Sequence, residues 1–346
     1  MKRRASTAGA RQTVSIESVA ERAGVSISTV SRVVNGVEKR ASDATARRVM
    51  EAVGALGYRP QSAGRALRQR ESRIVGVLVA NLSNPAMAAI AASIEAALRD
   101  AGYVMALCDT HERAEIQDEY LSEMEAQLAR GIVMVVAVPS PKLDAMRASG
   151  RPLVFVNRRD PGADDSAFVG IDDFAAGRDL AEHLLEGPPG AAPAVIHASL
   201  AFSAGALRLG GVEERLLEAG FKRSQIAKRT AKTTAHLEIG YQAMGQLLAL
   251  SPRPRNVVCL SDLLAYGAYR RVREAGLRVP DDVALYAFDD NPLNDWIAPW
   301  LSAVHMPYTR FGPAVVASLR ELLDAKPATQ RLLAHEMVLR TRRQRY

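Results

Sequence analysis

The sequence predicts a small all-α helix-turn-helix DNA-binding domain followed by an α/β core of two doubly wound parallel-sheet subdomains. Three observations carry that reading. Residues 15–36, SIESVAERAGVSISTVSRVVNG, form two short amphipathic patterns hinged at Gly24. From Arg73 onward, Val-rich runs of four to eight apolar residues alternate with longer helical patterns, and the alternation restarts after Asp172. Residues 1–73 hold 15 Lys and Arg against 6 Asp and Glu, a local excess larger than the formal +7 of the whole chain. A cationic module beside a near-neutral body is the electrostatic footprint of phosphate binding.

Each element follows from local pattern. Residues 1–12 are polar, basic and aperiodic and read as a flexible arm, and residues 13–60 are assigned to the DNA-binding domain. Ile16, Val19, Ala20, Ala23, Val25, Val30, Val33 and Val34 recur at helical spacing; Ser26 is placed to cap the second helix, and Gly36 suits a left-handed turn after it. A third helix is capped by Ser42, buries a stripe of Ala46, Val49, Met50, Val53 and Leu56, and stops at Gly57. Residues 61–71 form a basic linker with room for two helical turns, too short and polar to hold a helix alone.

The core occupies residues 72–346. Its first half reads as strands RIVGVLVA, YVMALCD, GIVMVVAV and PLVFVN, separated by helices over 85–101, 113–129 and 141–149. The second half reads as helix 174–186, then PAVIHAS, QIAKRT, NVVCLSD and DVALYAF with helices over 202–219, 235–249 and 263–275. The LSAVHMP strand, a helix over 309–324 and a final RLLAHEMVLR strand are expected to cross back between the halves. This gives an N-subdomain of about 72–172 and 305–330 and a C-subdomain of about 173–304 and 331–346. Ligands in open α/β sheets bind beyond the carboxyl ends of the strands, so residues just after each apolar run are the candidates for a cleft site.

Composition narrows the classes. With 346 residues and 48% hydrophobic content the chain supports a sizeable core beside a small module. Residues 5–15 after the basic start contain no apolar signal region, and no uncharged apolar run reaches the ~18 residues of a membrane span, so a cytoplasmic protein, nucleoid-associated through DNA, is expected. Cys108 and Cys259 are too few and too isolated for a disulfide framework or a thiolate metal site, and read as core packing. No metal site, cofactor or catalytic residue is expected. A sugar-modifying enzyme or a solute-binding protein is the alternative for such a cleft. The first lacks any phosphate loop, G-x-G-x-x-G, G-x-S-x-G or completed H-E-x-x-H after His335-Glu336, and the adjacent pair Asp289-Asp290 points to opposite sides. The second has no use for residues 14–60 and needs an export signal.

The motifs VAERAGVSISTVSRVVNG, LGYRP, NLSNP, VGIDDFAAGRDLAEHL, SDLLAYGA, REAGLRVPDDVALYAFDD and AVHMP, in this order from Val14 to Arg340, closely resemble the LacI family of bacterial transcription regulators. The resemblance implies a homodimer of periplasmic-binding-protein-like cores whose cleft ligand controls DNA binding, with double-stranded operator DNA as partner and a repressor as the expected function. It places Ile27, Ser28 and Arg32 toward base edges, Thr29, Ser31 and Asn35 near phosphates, and Leu67 as a minor-groove wedge from a hinge helix. Gly64 stands where the family usually has alanine and weakens that helix, so the hinge is expected to form only on DNA.

For the effector, the resemblance points to Asn81, Met87, Asn157, Arg208, His236, Ser261 and Asp289. Asn84 and Pro85 open a helix aimed at the cleft, but Ala86 and Met87 replace a pair of aromatics common in the family. Asn157, Arg158 and Arg159 end a strand, the arginines being candidates for the cleft or for salt bridges across the subdomain interface. Arg208 matches an arginine that grips ligand hydroxyls or carboxylates, and Asp289 an acid that accepts from hydroxyls. Ser261 stands where asparagine is common, and Ala235 with His236 falls where some members stack an aromatic ring. Arginines without an aromatic platform favour a polar or anionic sugar derivative over a nucleobase. With no leucine heptads after the last strand, a dimer is expected rather than a tetramer.

Overall fold

A computed structural model describes residues 14–34, 41–58, 72–186, 193–201 and 204–340. The chain divides into two compact units, Met1–Ser72 and Arg73–Tyr346. The expected arm (1–12), Asn35, Gly36 and the hinge with Gly64 and Leu67 lie outside the described residues.

In the first unit, α1 (Ile16–Ala23) is capped by the Ser15 side chain and closed by Gly24 at φ 63°, a left-handed turn that glycine adopts without steric cost. Helix α2 (Ile27–Val34) is opened by Ser26, whose Oγ accepts from the Thr29 amide at 3.2 Å. Helix α3 (Asp43–Leu56) begins at the Ser42 cap and ends at Gly57 in the same left-handed geometry. Val19, Ala20, Ala23, Val30, Val49 and Ala52 are its buried core. Met50 departs from the expected stripe and is 55% exposed. It follows Val49 by one residue, about 100° around the helix, and Ala52 takes the buried position instead.

The second unit contains β1 (Ile74–Val79), α4 (Pro85–Asp100), β2 (Val104–Asp109), α5 (Ala114–Ala126), β3 (Gly131–Val135), α6 (Pro141–Ala148), β4 (Leu153–Val156) and β5 (Ala167–Gly170). There follow α7 (Asp173–Leu185), β6 (Ala194–Ile196), α8 (Ala204–Glu218), β7 (Lys228–Arg229), α9 (His236–Leu248), β8 (Asn256–Cys259), α10 (Asp262–Glu274) and β9 (Ala284–Asp289). The chain continues through α11 (Asn294–Ile297), β10 (Ser302–His305), α12 (Tyr308–Leu323), β11 (Gln330–Leu332) and β12 (Glu336–Val338). Two six-stranded sheets result, ordered β11-β5-β4-β3-β1-β2 and β12-β10-β9-β8-β6-β7. Every pairing is parallel except β10 with β12.

The continuous apolar runs are explained by helices on both faces. In the first sheet Val75, Val77, Val79, Val133, Val135, Val154 and Val156 join the cluster containing Ile90 and Ile94 of α4 and Phe311 of α12. The alternate residues Leu78, Ile132, Met134, Leu153 and Phe155 meet Leu121 of α5 and Leu143 of α6.

In the second unit, the strands and subdomain limits differ from the sequence reading in four ways. Strand β5 was not anticipated, because four residues between two loops give too little periodicity to recognise. The QIAKRT run forms only the two-residue β7, after a short 3₁₀ turn over Arg223–Gln225. The final RLLAHEMVLR segment is two strands in different sheets, β11 parallel to β5 and β12 antiparallel to β10. His305 therefore belongs with the second sheet and Arg331 and Leu332 with the first, shifting the expected subdomain limits of 305 and 330 by one or two residues. Three crossings join the sheets: β5 to α7, β10 to α12, and β11 to β12.

Candidate functional site

In the first unit, the outer face of α2 presents Ile27, 46% exposed, with Ser28 and Arg32 also exposed and Thr29 and Ser31 half-buried. Ser28 and Arg32 are one turn apart, and an Arg32 Nη2 donates to Ser28 Oγ at 3.3 Å. Ser26 Oγ is within 2.8 Å of Ser28 Oγ and 2.9 Å of Thr29 Oγ1, so the helix start is a cluster of hydroxyls around one cap. Five of the seven residues expected at DNA thus sit on one short helix; Asn35 and Leu67 lie outside the described residues.

In the second unit, a cavity of about 360 Å³ lies beyond the carboxyl ends of strands from both sheets. Asn81, Met87, Asn157, Arg208, His236, Ser261 and Asp289 all border it. The loop after β1 supplies Asn81, whose Oδ1 accepts from the Ser83 amide at 2.8 Å. Asn84 caps α4 by accepting from Ala86 N at 3.0 Å, with Pro85 at the first turn and Met87 packed behind. Among the described residues no Phe, Tyr or Trp side chain lines the cavity.

Polar groups at its wall are left without partners. Among the described residues the buried side-chain atoms lacking any hydrogen bond are Asn157 Oδ1, His236 Nδ1, Ser261 Oγ and Asp118 Oδ1, and the first three belong to cavity residues. A buried polar atom without a partner costs about 1–3 kcal/mol, a cost that a hydrogen-bonding ligand would remove. Asn157 and Asp289 also hold left-handed backbone, φ 63° and 90°, as does the rim residue Glu112 at 54°. Non-glycine residues in this region store strain of the kind found at ligand sites.

Arg208, only 4% exposed, is the fixed point of the wall. Its Nε donates to Asp173 Oδ1 at 2.7 Å, and its Nη1 donates to Asp289 Oδ1 at 2.8 Å and to the Leu260 carbonyl at 3.0 Å. Its guanidinium lies 4.9 Å from the centre of the Phe288 ring. Burial works against the charge of Arg208, but the Asp289 and Asp173 carboxylates outweigh it and hold its pKa above the ordinary value. Burial likewise pushes the Asp173 carboxyl up, against the pull of Arg208. Asp262 is pushed up to about 7 by burial and then by the Asp289 charge, while its oxygens accept from Asn291 and Asn294.

The two strand-end arginines separate. Arg158 borders the cavity, donates to the Ala137 carbonyl at 3.3 Å and faces Glu112 at 3.9 Å. Burial lowers its pKa. Arg159 instead donates to Gln330 and covers the Phe168 ring at 4.6 Å. These contacts stay within the first sheet's subdomain, in place of the salt bridges across the interface that the sequence left open. Asp289 and Asp290 diverge as expected: Asp289 meets Arg208, and Asp290 pairs with Arg340, Asn294 and His305. Sequence reasoning missed Asp173 and Glu112. The signal for Asp173 was a second acid after Asp172, since Asp172 alone caps α7 through the Phe174 and Ala175 amides.

Known proteins resemble both units. Residues 15–61 match the family described as bacterial regulatory proteins, lacI family, and residues 194–342 match the periplasmic binding protein-like domain. The HTH-type transcriptional repressor PurR of Pectobacterium carotovorum is 31% identical over 319 residues, covering 90% of this chain and 91% of that protein. The ribose operon repressor of Halalkalibacterium halodurans is 28% identical over 330 residues, covering 90% and 91%. A crystal structure of the Lac repressor dimer bound to operator and the anti-inducer ONPF superposes with a TM-score of 0.83 at 25% identity, covering 95% of this chain and 98% of that one.

Proposed function

The chain belongs to the LacI family of bacterial regulatory proteins, and from that premise we propose a repressor that binds a palindromic operator as a homodimer under the control of a small polar effector, a sugar or sugar derivative. It is a DNA-binding regulator and not an enzyme. Its place of work is the cytoplasm, on the nucleoid through its operator; among the described residues no helix is long and apolar enough to cross a membrane.

Ile27, Ser28 and Arg32 read base edges, Thr29, Ser31 and Asn35 hold phosphates, and Leu67 wedges into the minor groove. Asn81, Met87, Asn157, Arg208, His236, Ser261 and Asp289 hold the effector, with Arg158 at the same wall. The observation that carries the effector assignment is the convergence of three partnerless buried polar atoms, on Asn157, His236 and Ser261, around one cavity with a pre-oriented arginine. Such atoms suit a ligand rich in hydroxyls, each able to donate and accept. Exposed Val104 and Leu107 on the edge strand β2, and Trp296 at 84% exposure beside Ile297, supply apolar surface for the dimer.

Selection from random duplex DNA at near-physiological salt tests the regulatory reading. One recovered palindrome establishes an operator-specific dimer. Binding without a motif that collapses as salt rises overturns sequence-specific recognition.

A further inference from the structure

Among the described residues two guanidinium groups border the cavity, and each faces a carboxylate. Arg158 has the half-exposed Glu112 carboxylate 3.9 Å away, and Arg208 meets two carboxylates, Asp173 at 2.7 Å and Asp289 at 2.8 Å. Asp289 lines the cavity, whereas Asp173 stands behind Arg208 as the first residue of α7 and does not reach the ligand space. One carboxylate suffices to neutralise the guanidinium. The second adds buried negative charge, and Asp262, close enough to feel Asp289, adds to it on losing its proton.

We propose that Asp173 is a specificity-determining positioning residue: acting through Arg208, it makes the cavity select uncharged hydroxyl-rich effectors and reject sugar acids and sugar phosphates. The inference rests on the cavity being the effector site. An incoming carboxylate or phosphate meets an arginine already paired twice, in a low-dielectric wall where each uncompensated charge acts strongly. A neutral polyol instead meets a guanidinium plane fixed by Nε and Nη1 contacts, with Asp289 placed to accept from a hydroxyl. Helix packing builds the arrangement. Cβ atoms at Gly177 and Gly211 would lie 2.3 Å from the Arg208 carbonyl and 2.0 Å from the Phe174 carbonyl, so only glycine lets α7 and α8 approach this closely.

The test is calorimetric titration of the full chain, wild type and D173N, in mildly alkaline buffer, above the value of about 7 to which Asp262 is pushed. The probes are matched pairs: D-glucose with D-glucuronate, D-galactose with D-galacturonate, and D-ribose with D-ribose 5-phosphate. Wild type is expected to bind a neutral member and its acid at least about tenfold more weakly. Removing one nearby unit charge in D173N is expected to narrow that ratio about tenfold. A merely structural role for Asp173 would weaken both members alike and leave the ratio unchanged, which would overturn the proposal. Acid binding as tight as neutral binding in wild type would overturn it without any variant, and D173S replaces D173N if the latter fails to fold. No binding across neutral and acidic pentoses, hexoses and their phosphates would instead remove the sugar reading of the cavity, and the premise with it.

Discussion

At Arg208 the cost of a single change is set by what it leaves behind. Arg208→Ala strands Asp173 and Asp289 in a buried site, and breaking such a pair costs about 3–5 kcal/mol, so urea unfolding of the core should shift by that order. Asp262 has a pH signature. Its folded carboxyl, pushed up to about 7, keeps a proton that the unfolded chain releases near ~4. Its contribution is therefore complete below the unfolded value and lost as the pH rises through about 7. His305 adds the same sign, because its bond to Asp290 raises its pKa. Urea midpoints measured from about pH 6 to 8, above the range where the carboxylates with lowered values titrate, should fall as pH rises, and D262N should flatten the slope; an unchanged slope would remove Asp262 as its source. On α2, Arg32→Ala should cost ~1–3 kcal/mol of operator discrimination, read as relaxed preference at one base pair in competition binding. The type and place of Arg208 were legible from its motif. Its second carboxylate was not, because Asp173 lies far away in sequence and reaches it only through helix packing.

Among the elements, the closest approaches are those where helices cross on glycine. Gly240 and Gly267 bring α9 and α10 together, and a Cβ on either would lie 2.0 Å from the Leu264 carbonyl or 1.9 Å from the Leu237 carbonyl. Backbone cannot yield as a side chain tip does. Gly240→Ala should therefore destabilise the core by ~1–3 kcal/mol in thermal unfolding, whereas Gly54→Ala on α3, with nothing within 4 Å, should be neutral or stabilising. Equal effects at both positions would show that crossing distance does not set the cost. Apart from the edge strand β2, the longer parallel strands were legible because both faces of each are covered, which turns the period-2 pattern into an unbroken apolar run. Strands β5, β7, β11 and β12, two to four residues each, owe their structure to partners distant in sequence. Local pattern therefore missed β5, overextended β7 and fused β11 with β12.

For the whole molecule, the cavity's composition was legible because strand ends in an α/β sheet collect at one rim, so residues from well-separated segments were expected to meet. The net charge of that rim was not, since it depends on which buried groups pair. Regulation adds a requirement that no contact shows. If the effector changes operator affinity by some factor, the operator must change effector affinity by the same factor, because both paths around the cycle join the same four states. A coupling of ~1–3 kcal/mol corresponds to about 5–150-fold. Titrating the effector with and without saturating operator duplex, and the operator with and without saturating effector, should return one factor twice. A factor of one in both directions would mean that cavity occupancy does not govern DNA binding. A sign shared by both titrations would decide between inducer and corepressor: weaker binding in each marks an inducer, tighter binding in each a corepressor.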